Sequence, residues 1–191
     1  MKINSIVKTL LELLIVINLV SCASFPKNYK DSISIDKKNV TELNGEYNIV
    51  GIKDTLKENS HNAFEKFYRS YGRFAKDTLK LDTLAKYTFS IRIIDNKKVN
   101  IKYLKNGKEF KDLVLKYKLK SNGFLYLKNQ NFKIAGIPYI FGSLEEKKLR
   151  LRMDFNQNLI IEEAYHYSGA LLIILGAGFD HTYRHHYEEV K

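Results

Sequence analysis

The sequence predicts a mainly β protein: an antiparallel meander of about eight to ten strands closing into a small barrel, with one amphipathic helix after the first strand. Three observations predict it. From Tyr87 onward, apolar residues alternate with polar ones at a period of two, the spacing of a strand with one buried face. Turn signals recur between these runs, at Asn106-Gly107, Ser121-Asn122-Gly123, Asn129-Gln130-Asn131 and Asn156-Gln157-Asn158. The chain also carries 13 Tyr and 11 Phe against 2 Pro and no Trp, and aromatic side chains pack well on pleated surfaces. A meander of this size must bury one face, and closure removes its exposed edges. A barrel is therefore expected first and a two-sheet β-sandwich second.

The chain opens with a secretory pattern. Lys2 and Lys8 precede an apolar run over residues 10–20, and small residues follow. Residues 9–21 are too short for a spanning helix, which needs about 20 apolar residues, and Glu12 interrupts them. The run closes on Leu19-Val20-Ser21-Cys22, which holds the only cysteine. A lone cysteine cannot form an internal disulfide. These four residues resemble the lipobox of bacterial lipoproteins. The resemblance implies that residues 1–21 are removed as a signal peptide, that the Cys22 sulfur carries a diacylglyceryl group, and that the new amine takes a further acyl chain such as palmitate. One acyl chain binds a membrane only marginally, whereas two or three anchor stably. Ala23, rather than Asp, after the cysteine implies a place at the outer membrane of the cell envelope. An ordinary signal peptide cut near Ala23, leaving a secreted soluble protein, is the alternative.

Residues 22–40 are expected to form the lipidated cysteine and a flexible tether, since they mix Ser, Lys, Asn and Asp with Pro26. A short edge strand over Ile33 and Ile35 is the alternative there. Residues 41–191 then form one domain, an ordinary size for a single core at 45% hydrophobic and 28% charged content. Leu43-Asn44-Gly45-Glu46-Tyr47 is a turn entering the first strand, which continues through Ile49 and Ile52. Asn62 and Glu65 stand at capping-box spacing, and Phe64, Phe67, Tyr68, Tyr71 and Phe74 recur at helical intervals up to Gly72 and beyond. That aromatic stripe reads as core-facing, covering one end or open face of a sheet. Residues 77–86 form a polar connector.

Tyr87, Phe89, Ile91 and Ile93 begin the alternating strands, and Val99, Ile101 and Tyr103 continue them. Leu113, Leu115, Tyr117 and Leu119 alternate with lysines apart from Val114; Phe110 is out of register with them, which predicts a bulge near Asp112. Residues 124–127 make a short strand. Residues 132–142 are apolar but broken by Gly136 and Pro138, which suits an edge. Leu149, Leu151 and Met153 make the next strand, and residues 159–167 another. Leu171-Leu172-Ile173-Ile174-Leu175 reads as a strand buried on both faces, with a lipid- or partner-docking patch as the alternative. Residues 176–180 read as a turn and 182–190 as the last strand.

Taken with the lipobox, the Leu-Asn-Gly-Glu-Tyr start, the early aromatic helix, Ile137-Pro138-Tyr139-Ile140-Phe141-Gly142 and the Gly-rich apolar strand near the end resemble the small lipocalin-like, or calycin-type, lipoproteins of bacteria. The resemblance carries no assigned activity.

The net charge of +11 is spread along the chain without an arginine-rich cluster, so a solvated lysine surface is expected and no nucleic-acid partner. Attraction to an acidic envelope surface is the second reading. Glu162-Glu163 cannot act as an acid–base couple, because adjacent strand residues point to opposite faces. If Leu159 and Ile161 face inward, so do Glu163, Tyr165 and Tyr167, and these three are the candidate ligand contacts. His181, His185 and His186 invite a metal, but His181 and His185 stand about 13 Å apart in a strand, too far for one ion. No metal, cofactor or catalytic residue is expected, and no nucleophile elbow, phosphate loop or His-Glu-x-x-His helix is present. The expected role is a membrane-anchored module holding a small apolar or amphiphilic ligand in an aromatic-lined barrel. A packed barrel acting through its surface, as a structural or interaction lipoprotein, is the alternative.

Overall fold

The computed structural model describes residues 24–26, 32–52, 62–64, 66–67, 81–128, 132–137, 141–171 and 175–190. The lipobox lies outside them, as do Pro138 and most of the expected helix. The chain is mainly β. Among the described residues, ten strands run β1 (Ser32–Ile33), β2 (Gly45–Asn48), β3 (Tyr87–Ile93), β4 (Lys98–Lys105), β5 (Lys108–Lys120), β6 (Phe124–Lys128), β7 (Phe132–Ile137), β8 (Phe141–Asp154), β9 (Leu159–Leu171) and β10 (Leu175–Tyr187). A 3-10 turn, Val40–Leu43, precedes β2. All ladders are antiparallel, in the order β10-β9-β8-β6-β5-β4-β3-β2. β7, β6 and β1 follow one another along β8, meeting it at residues 141–146, 150–151 and 153–154.

The period-two pattern places the core. Phe89 and Ile91, Val99, Ile101 and Tyr103, Leu115 and Tyr117, Leu149 and Leu151, and Leu159 and Ile161 are all buried on one face. Asn106 and Gly107 have φ of 50° and 76°, the left-handed pair of a tight hairpin turn, which glycine adopts without steric cost. The expected bulge is present: Tyr103 opposes Lys111 and Leu104 opposes Glu109, which leaves Phe110 as the extra residue. Gly45 has a packing reason, since a Cβ there would come within 3.0 Å of the Tyr47 hydroxyl, which donates to the Leu43 carbonyl.

Several expectations change. The strand ladders do not close the sheet into a barrel, because β2 has four residues and shares no ladder with β10. The two ends of the path meet outside the named strands, at a Tyr47–Glu189 bridge with backbone hydrogen bonds from Asn48 to Glu188 and from Val190 to Glu46. Part of the expected tether belongs to the domain: Ser32–Ile33 pairs with β8, and Ile35 is in the core. Of the expected helix, residues 62–64 and 66–67 are described; Phe64 and Phe67 are buried, and the Asn62 side chain accepts from the Phe64 amide. Residues 176–180 are not a turn. They continue β10 opposite Gly169, Ala170 and their neighbours, because small side chains on both strands let the ladder override glycine as punctuation.

The β8–β9 turn is organised by Asp154. Its carboxylate accepts from the backbone amides of Asn156 and Asn158 at 2.9 and 2.8 Å, from the Asn158 side chain at 2.9 Å, and faces His186 Nδ1 at 3.2 Å. Burial pushes this carboxyl up, but the hydrogen bonds outweigh it and hold its pKa below the usual aspartate value. A lowered folded pKa contributes stability that is complete above the unfolded value of about 3.9 and is lost as pH falls through the folded value. Asp154→Asn is therefore expected to flatten the fall in urea midpoint below about pH 4; an unchanged acid limb would count against this role.

Candidate functional site

Glu163, Tyr165 and Tyr167 share one face of β9, as the alternation requires. Glu162 points the other way, which separates the paired carboxylates. The Glu163 carboxylate is nearly buried and sits 3.0 Å from Lys66 Nζ and 3.9 Å from Lys147 Nζ. Lys66 also lies 5.3 Å over the Tyr183 ring, and Lys147 lies 5.1 Å over Tyr165. A carboxylate with two cationic neighbours ties the 62–67 segment to the sheet. Tyr165 and Tyr167 join a row of rings instead: both flank Phe179, at 5.7 and 5.4 Å, and the row continues through His181, Tyr183 and His185. Burial, then the nearby Glu145, raises the Tyr165 phenol pKa, so it stays protonated as a donor. The three candidate residues are brought to one face, with Glu163 in an ionic cluster and the tyrosines in an aromatic one. Among the described residues, no group of three or more His, Cys, Asp or Glu side chains is placed to hold a metal ion.

On the opposite face, Glu162 is fully buried between two guanidinium groups. It pairs with Arg150 Nε and, at 2.8 Å, with Arg184 Nε. The Arg150 guanidinium stacks on Phe124 at 3.7 Å and Phe25 at 4.2 Å, and it donates to the Pro26 carbonyl at 3.1 Å. This cluster fastens residues 24–26 to the sheet.

A second feature escaped the sequence reading. A cleft of about 860 Å³ lies between the 3-10 turn and the β3–β4 turn, over the ends of β5 and β6. Six lysines surround it: Lys37, Lys97, Lys98, Lys116, Lys118 and Lys128. Its apolar lining comes from Val40, Ile93, Ile94, Tyr117 and Leu119. The rim is held in place. The Tyr117 hydroxyl donates to the Asp95 carbonyl at 2.8 Å, and the Asp95 carboxylate accepts from the amides of Lys97 and Lys98 at 2.7 and 2.8 Å. The one rim carboxylate is thus engaged by its own turn, and none of the six lysines makes an ion pair among the described residues. Alternating lysines in β5 signalled a solvated face; only the approach of two distant turns makes that face a cleft.

The interior aromatic side chains contact one another. Phe89 lies 5.6, 5.8 and 5.5 Å from Tyr47, Phe67 and Tyr187, and Phe64 lies 4.9 Å from Tyr103. No protein-family model, curated protein or solved structure matches the chain.

Proposed function

We propose that this protein is a lipoprotein of the bacterial envelope, anchored through acyl chains on Cys22, whose β domain binds an amphiphile with an anionic headgroup. The lysine-rimmed cleft carries the reading. Its volume of about 860 Å³ falls in the ordinary range for small-molecule sites, about 300–1,000 Å³. Ile93, Ile94 and Leu119 offer surface for an acyl chain, while the six lysines, which make no ion pair among the described residues, concentrate positive potential at the mouth. The mutual packing of the interior rings favours this rim site over a calyx at the centre. The role is binding rather than catalysis. The two ends of the sheet are held together at the Tyr47–Glu189 bridge by the backbone hydrogen bonds from Asn48 and Val190, which fixes the cleft on a settled core.

Fluorescence titration with cis-parinaric acid and its neutral methyl ester tests the proposal. The acid is expected to bind about tenfold more tightly than the ester, and Lys97→Glu, Lys116→Glu and Lys118→Glu together should remove that preference. The same charge reversal at Lys37's exposed neighbour Lys38, which does not line the cleft, should leave it intact. Binding of neither probe, or equal binding before and after reversal, would sink the amphiphile reading.

A further inference from the structure

The lysines of the cleft are not scattered. Lys98 on β4 stands directly opposite Lys116 on β5, and Lys116 stands directly opposite Lys128 on β6. Partners across an antiparallel ladder share a face, so the three side chains rise from one side of the sheet in a single row. Neighbouring strands lie about 4.8 Å apart, which spreads the row over about 10 Å. Lys118, two residues beyond Lys116, points the same way from the next row. All four residues line the cleft and are exposed.

Like charges set directly opposite one another destabilise a ladder. Other lysines of the same strands are matched. Lys105 and Lys108 oppose each other at the tight turn, and Lys105 meets Asp82 at 3.4 Å. Lys102 opposes Asp112 and pairs with Glu109 at 2.6 Å. None of Lys98, Lys116 and Lys128 makes an ion pair among the described residues. Asp112, on the same face of β5, is four residues from Lys116, about 13 Å along the strand, and accepts from Asn100. Asp95, at the rim, is bound by its own turn. A row of three unmatched cations lowers the stability of the empty protein, as binding sites do when their counter-charge arrives with a ligand.

The chemistry of the ligand follows from the charge. A carboxylate brings one negative charge to three ammonium groups, whereas a phosphate monoester brings about 1.5 to 2 on one group with three acceptor oxygens. The cleft lining holds no arginine, the residue that fixes a single carboxylate through a planar two-pronged fork. Lysine ammoniums are point charges on flexible four-carbon stems, so the two outer ones can converge over Lys116 on a tetrahedral phosphate. A phosphodiester, with a single charge, leaves the row partly unmatched. Ile94, whose amide donates to the Lys98 carbonyl at 3.0 Å, is 52% exposed at the β4 end of the row. It gives the group esterified to the phosphate an apolar surface beside the ammoniums.

We propose that the Lys98–Lys116–Lys128 row is a phosphomonoester site, with Lys118 as a fourth cation, and that the headgroup held in the cleft is a terminal phosphate. This inference rests on the reading of the cleft as an amphiphile site and names the headgroup. Binding replaces repulsion across three strands with attraction to a shared dianion, so the occupied protein is the more stable one.

Thermal unfolding of the full protein, purified from its host in neutral maltoside detergent and followed by circular dichroism at fixed ionic strength, tests the site. Three probes are compared. Dihexanoyl phosphatidic acid carries the monoester, dihexanoyl phosphatidylglycerol carries a diester, and sn-glycerol 3-phosphate carries the monoester without acyl chains. Phosphatidic acid is expected to raise the midpoint several-fold more than phosphatidylglycerol. Lys116→Gln is expected to bind phosphatidic acid about tenfold more weakly. Without ligand it should melt no lower than the wild type, because it breaks the row of like charges. Lys38→Gln, outside the cleft, should change neither result. Equal shifts from the two lipids, including none, overturn the phosphomonoester site and leave the amphiphile reading to its own titration. A response that survives Lys116→Gln, or a ligand-free Lys116→Gln that melts lower than the wild type, overturns it as well. A response to glycerol phosphate equal to that of phosphatidic acid supports the phosphate site and overturns the amphiphile instead.

Discussion

Glu162→Leu is expected to lower stability by about 3–5 kcal/mol, read as a shift in urea midpoint, because it strands a buried guanidinium. The Glu162 side chain is almost wholly inaccessible, and so is that of Arg150, its partner across β8 and β9. Arg184, the other partner, is part-exposed and can turn to water. Arg150 cannot, since Phe124 and Phe25 cover its faces. Combining Glu162→Leu with Arg150→Met should recover most of the loss, since a buried ion pair replaced by apolar side chains of similar volume is often neutral. A loss below about 1 kcal/mol in the single variant would mean that the pair is solvated in solution.

Phe89→Ala is expected to cost about 3–5 kcal/mol, the range for deleting a buried aromatic ring. Phe89 is fully buried and lies within 6 Å of three rings from separate parts of the chain: Tyr47 on β2, Tyr187 on β10 and Phe67. The loss should fall first on the seam. Amide exchange at Asn48 and Val190, whose N–H groups cross it, is expected to accelerate before exchange in the β4–β5 hairpin. Uniform acceleration would show that the seam opens only with the whole domain.

The legible parts of the fold were those written in neighbouring residues. Alternation in β3 to β6, the Asn106-Gly107 turn and the displaced Phe110 depend on a few adjacent positions, and local sterics decide them. The opposite orientations of Glu162 and Glu163 follow from the strand period alone. What sequence hid was decided by partners far along the chain. Gly176 and Gly178 look like a turn until β9 supplies a ladder opposite them. Glu163 is seen to be occupied only when Lys66, from a different segment, arrives beside it. The lysine cleft needs the 3-10 turn and the β3–β4 turn to meet, and no periodicity reports such a meeting. Between a tether and a short edge strand near Ile33 the spacing alone does not decide, because the strand exists only where β8 offers an edge to Ser32 and Ile33.

The Tyr47–Glu189 seam also sets an order of assembly. Most neighbouring strands are consecutive in the chain and can zip in turn, but Asn48 and Glu188 meet across 140 residues. Closing so long a loop is slow, because its entropy is lost before the contact rewards it. The core around Phe89 stays incomplete until residues near the C-terminal end have emerged. A chain released from its N-terminal end would thus hold the Phe89 core open until Tyr187 is free to join it.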